Sequence, residues 1–196
     1  MKINTNLPQI VGYKEPIELK YNFLVLNIFS GFLFVISLFG FNFLRIWIET
    51  GTFETNFSGS VDANQTFIIG LIFVGTIICH EIVHGIVFKL LKYKVSFGLI
   101  LPSMAYTMVK NQLVKKRDYL IVAMAPFVVI NFVCISLLFL KISALNNLLV
   151  WILVINTSGA VGDLWLSWVI QNSPKNTLFY DTSPSQNYIY YQILKK

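Results

Sequence analysis

The chain is short of the residues that soluble proteins depend on. Only 12% of its 196 residues are charged, and it has nine acidic residues, two histidines and two cysteines. Soluble domains carry about 25% charged residues, so an ordinary soluble domain is excluded. Cys79 and Cys134 lie in apolar runs without the spacing of a disulfide framework or a cysteine-rich metal site. They read as small buried hydrophobes. No segment reads as a secretory signal, because the first apolar run begins near residue 23, is longer than a signal core and lacks a small-residue cleavage site. Internal repeats and low-complexity stretches are missing as well.

Apolar residues are abundant. The chain is 56% hydrophobic and 15% aromatic, with a mean hydropathy of +0.67. Four runs approach or exceed the roughly 20 apolar residues that span a bilayer as a helix: residues 23–48, 67–91, 119–140 and 148–170. Basic residues (15) outnumber acidic ones, which raises nucleic-acid binding as a possibility. Their positions argue for topology instead. With a cytoplasmic N-terminus, thirteen of the fifteen fall inside, and only Arg45 and Lys141 fall toward the outside. The loop 49–66 holds Glu49, Glu54 and Asp62 and no basic residue. Both termini are therefore expected in the cytoplasm. The expected partners are the lipid bilayer and a membrane protein or peptide, not nucleic acid.

The fold expected is an all-α membrane protein of four transmembrane helices, with a short strand-like or re-entrant element between the second and third. A cytoplasmic N-terminal segment (1–22) and a cytoplasmic tail (171–196) flank the spanning domain (23–170). Residues 95–114, VSFGLILPSMAYTMVKNQLV, are apolar but broken by Pro102. They suit a strand-like element whose exposed edge could pair with an unwound substrate. Tyr180, Tyr188, Tyr190 and Tyr191 suit a membrane interface.

Both histidines of the chain fall in the second run, within HEIVH at residues 80–84. Ionisable groups inside an apolar span are costly unless they are partnered. On a helix, His80 and His84 share a face, which is the H-E-x-x-H arrangement of two imidazoles on one zinc ion with the glutamate as general base. Glu81 lies about 100° around the helix from His80, within reach of a water at the metal. A catalytic zinc takes a third protein ligand. Asp163 is the other acidic residue deep in an apolar run. The second and fourth runs point the same way. His80 lies about 20 Å and Asp163 about 22 Å from their outer ends, by helical rise, so the two share a level toward the cytoplasmic side. Gly159 and Gly162 would let a helix or a substrate approach near Asp163. Three alternatives stay open: histidines bonded only to neighbouring helices, Asp163 paired with a lysine or capping a helix break, and Cys79 as a rival ligand. Such a zinc site favours metal-assisted peptide hydrolysis. The rival class is a zinc-binding membrane protein without catalysis, acting as a chaperone or sensor.

HEIVH, the Ala125-Pro126-x-x-x-x-Asn131 pattern and Asn156 followed by Gly162-Asp163 together resemble the site-2 protease-like membrane metalloproteases. The likeness is closest to the small bacterial membrane proteins of the putative zincin peptidase family, and it covers about residues 67–185. It implies an intramembrane or membrane-proximal zinc protease in a bacterial plasma membrane. His80, His84 and Asp163 would hold zinc, and Glu81 would act as base. Here Ala125 stands where glycine is common, and Leu164 follows Asp163. Pro126 frees an acceptor at Val122 and is expected near the level of the metal. Asn131 and Asn156 are expected either to bond between helices or to hold a substrate backbone.

Overall fold

A computed structural model describes residues 7–52, 63–100, 104–183 and 186–193. Its elements, in chain order, are β1 (Ile17–Glu18), α1 (Phe23–Thr50), α2 (Ala63–Leu90), β2 (Ser96–Ile100), β3 (Met104–Met108), β4 (Leu113–Lys115), α3 (Lys116–Leu138), α4 (Ser143–Gly159), α5 (Val161–Asn172), β5 (Leu178–Ser183) and β6 (Gln186–Tyr190).

Among the described residues three helices, α1, α2 and α3, are long and apolar enough to cross a membrane. A fourth crossing is available if α4 and α5 count as one bent span. At 28 residues, α1 and α2 are each about 42 Å long, more than the ~30 Å hydrocarbon core. Their apolar side chains mostly point outward: Phe23, Leu24, Phe29, Phe32 and Phe39 on α1, and Phe67, Leu71, Phe73 and Val74 on α2, are all more than half exposed. A soluble monomer rarely exposes so large a contiguous apolar surface.

The all-α expectation is corrected by two small sheets. β2 and β3 form an antiparallel hairpin between α2 and α3, with Phe97 opposite Thr107 and Gly98 opposite Tyr106. This is the strand-like element expected there. The second sheet was not expected. It has the order β1-β6-β5-β4, antiparallel throughout. Segments from before the first helix and after the last close on one another, with Ile17 opposite Ile189, and β4 from between α2 and α3 joins them, with Leu113 opposite Tyr180. Three of the four tyrosines assigned to a membrane interface are sheet core instead: Tyr180, Tyr188 and Tyr190 are buried and pack with Leu7, Ile10 and Tyr13. Aromatic and β-branched residues suit a pleated, half-buried surface, which is why these segments form strands.

The sheet fixes the helix directions. β1 leads into α1, β4 leads directly into α3, and α5 leads back into β5. The end of α2 is tied to the start of α3, since Tyr93 Oη donates to Asp118 Oδ2 at 2.8 Å. α1 and α3 therefore run away from the sheet, while α2 and the α4–α5 pair return to it. One core joins sheet and helices through Phe88, Val114, Val122, Ile170, Phe179 and Ile189. Each such side chain contributes roughly 1.5–3 kcal/mol by leaving water. A second core, with Leu138, Leu149, Leu153 and Val154, lies farther from the sheet between α1, α3 and α4.

The fourth apolar run is not one straight helix. It breaks at Ala160 and bends by 46°. A β-carbon added to Gly159 or Gly162 would meet nothing within 4 Å, so these glycines do not admit a close neighbour among the described residues. Their place beside the bend suits the backbone change there.

Candidate metal centre

The bend puts Asp163 in the first turn of α5, where a helix N-terminus favours a carboxylate. From there Asp163 Oδ2 lies 2.9 Å from His80 Nε2 and 3.3 Å from His84 Nε2 on α2. The two imidazoles face each other edge-on, with centroids 4.9 Å apart. The ligand atoms of His80, Glu81 and His84 all lie within 4.8 Å of one another. Cys79 is free and exposed.

Both rings are held from behind. Pro126, inside α3, has no N–H to give the carbonyl four residues back. That carbonyl belongs to Val122, and His84 Nδ1 reaches it at 3.0 Å. His80 Nδ1 is 3.0 Å from Asn156 Oδ1. The Asn156 amide is oriented by its other end, since Nδ2 donates to Asn131 Oδ1 at 3.0 Å and to Pro126 O at 3.3 Å. Asn131 in turn donates to Thr157 Oγ1 at 3.1 Å. Pro126, Asn131 and Asn156 thus bond between helices and stand behind the histidines rather than beside them.

This wiring decides the tautomers. A carbonyl and an amide oxygen only accept, so each Nδ1 carries the hydrogen. In the neutral rings each Nε2 then presents a lone pair toward the Asp163 carboxylate. The Asp163 oxygen lies 2.9 and 3.3 Å from the two nitrogens, and electron pairs this close repel unless protons or a cation sit among them. Two nitrogens and an oxygen around one tetrahedral zinc, at bond lengths of 2.0–2.2 Å, lie about 3.3 Å apart. The donor set therefore fits a divalent metal, with His80, His84 and Asp163 in position to hold it. Glu81 lies beside them as a fourth, acidic group.

Residues 73–178 match the family model described as "Putative zincin peptidase". The match covers more than half of the chain. The chain belongs to that family. No curated protein and no solved structure matches it. Membership and the His–Glu–His cluster together point to a zinc site in this chain.

The hairpin roofs the site. Thr107 Oγ1 donates to the Glu81 carbonyl at 2.8 Å. A β-carbon on Gly85 would lie 2.1 Å from the Phe97 ring, so glycine after His84 lets the hairpin sit directly on α2. Beneath β3 runs a cavity of about 150 Å³. His84 and Asp163 line it, as do Tyr106, Thr107 and Met108, and also Tyr21, Tyr119, Asp181, Ser183 and Asn187. These last groups were not anticipated from sequence. Tyr21 and the tail residues come from segments that carry no motif, and only the sheet brings them under the metal centre.

Proposed function

We propose that this chain is a membrane-embedded zinc metalloprotease, similar to the site-2 proteases, that hydrolyses peptide bonds of membrane or membrane-proximal protein substrates. The convergence of both Nε2 atoms and the Asp163 carboxylate, with Glu81 alongside, carries the reading. His80, His84 and Asp163 would hold the zinc. When bound there, zinc supplies a Lewis acid that polarises a carbonyl and lowers the pKa of a water to about 7. Glu81 takes the proton from the attacking water and passes it to the leaving amine. Asn156 and the Val122 carbonyl keep each imidazole in the tautomer that presents Nε2. The β3 strand borders the cavity, and its edge receives an extended substrate segment.

The chain lies in a bacterial plasma membrane with both termini in the cytoplasm. The excess of basic residues flanking the sheet end of the helices, from Lys89 to Arg117, supports that orientation. A zinc-binding chaperone or sensor without catalysis is the second reading. Glu81 argues against it, because a pure binding site needs no base. Converting Glu81 to Gln separates the two: zinc stays bound and cleavage of a co-expressed membrane substrate stops. Unchanged biological activity in that variant favours the chaperone or sensor. Replacing the hairpin residues 95–106 with a neutral loop stops cleavage in the same assay and leaves zinc in place.

A further inference from the structure

Asp181, on β5, lines the same cavity as His84 and Asp163 and is 3% exposed. Among the described residues, every polar side chain that bonds to its carboxylate is neutral. Tyr119 Oη donates to Oδ1 at 3.0 Å and to Oδ2 at 3.2 Å, and Asn187 Nδ2 donates to Oδ1 at 2.6 Å. Asn187 is oriented in turn by Tyr21, whose hydroxyl donates to its Oδ1. Among the described residues no lysine or arginine forms an ion pair with Asp181. Burial without a counter-charge pushes its carboxyl up to about 6, so it is mostly ionised at neutral pH. An uncompensated buried charge is costly. An asparagine would offer Tyr119 and Asn187 an acceptor without that cost, so the hydrogen bonds alone do not explain an aspartate. The cavity it lines is the size of an engineered cavity that takes up benzene, enough for the end of a side chain.

We propose that the Asp181 end of the cavity is a substrate subsite for a primary ammonium group, with the Asp181 carboxylate as its counter-charge and Tyr119, Asn187 and Tyr21 holding that carboxylate in place. The subsite rests on the protease reading for its role, because His84 and Asp163 line the same cavity. A lysine side chain and a free N-terminus present the same chemistry.

The test is calorimetric titration of the full chain in detergent, zinc-loaded, with three probes: Nα-acetyl-lysine amide, leucine amide with a free α-ammonium, and Nα-acetyl-norleucine amide as the neutral counterpart of the first. The expected result is saturable binding of at least one ammonium probe. Affinity falls tenfold or more for the norleucine probe, and tenfold or more in Asp181→Asn at unchanged zinc content. Whichever ammonium probe binds names the source. Equal binding of the norleucine probe, equal binding in Asp181→Asn, or no saturable binding of either ammonium overturns the subsite. The norleucine comparison needs only the wild-type protein, so it decides the matter even if Asp181→Asn does not fold. A cleavage assay on the wild-type chain beside the titration keeps the two readings apart. Ammonium binding in a wild-type chain that does not cleave upholds the subsite while the protease reading fails. Cleavage with Asp181-independent binding does the reverse.

Discussion

Asp163 and Asp181 line one cavity under opposite conditions. Asp163 faces both imidazole Nε2 atoms, an arrangement that calls for protons or a cation among them. Asp181 faces the neutral donors Tyr119 and Asn187 and folds without one. The difference shows that burial of a carboxylate does not by itself mark a metal site. The orientation of the partners does: acceptors aimed at acceptors require a metal or protons, while donors aimed at an acceptor do not. Behind Asp163 the support is also layered, through a backbone carbonyl for His84 and a side-chain amide for His80.

The strongest way to break the comparison is at Asp163, where Ala should lower zinc affinity the most, by more than the supporting groups do. Asn156→Ala comes next. It removes the acceptor that fixes His80, and partners of this kind cost 10–100-fold in metal affinity. Equilibrium competition with a zinc chelator reads both, and an Asn156→Ala affinity equal to wild type would mean that the amide only joins helices. Pro126→Ala should cost less than about tenfold in the same assay. The new N–H competes for Val122 O, but a carbonyl has two lone pairs and can keep His84.

The smallest effect sharpens the other side. Asp181→Asn should leave zinc binding unchanged and, besides weakening ammonium binding, alter the pH dependence of stability. The folded chain holds the Asp181 proton more tightly than the unfolded chain, since burial raises its carboxyl to about 6 from an ordinary value near 3.9. Stability from this group is then greatest below about pH 4 and is lost as pH rises to about 6, a change on the order of 3 kcal/mol. Thermal midpoints of wild type minus Asp181→Asn should fall across that window and stay flat above it. A difference that rises with pH would mean a cation already partners Asp181.

The His80–Glu81–His84 cluster and its approach to Asp163 were legible in the sequence, because helical spacing and depth set them. His80 and His84 are one turn apart, and an aspartate in an apolar run at a matching depth is conspicuous. The hairpin was also visible, as an apolar segment too short and too broken for a span. The four-stranded sheet was not. β1 has only two residues, and its partner strand β6 lies at the far end of the chain, so no local pattern could pair them. One signal was present: LFYDTS and QNYIY are β-prone runs separated by two residues, Pro184 and Ser185, which is a hairpin pattern. The bend before Asp163 was signalled only by the small-residue stretch from Ser158 to Gly162. The Asp181 cluster depended on that sheet, and with it went unseen.

The most direct measurement is zinc content by elemental analysis of the full chain in detergent, with wild type beside His80→Ala and Asp163→Ala. The account predicts about one zinc per wild-type chain, and a loss or clear weakening in both variants. A folded wild type that takes up no zinc after re-addition, or an Asp163→Ala chain that keeps it as tightly as wild type, would contradict it.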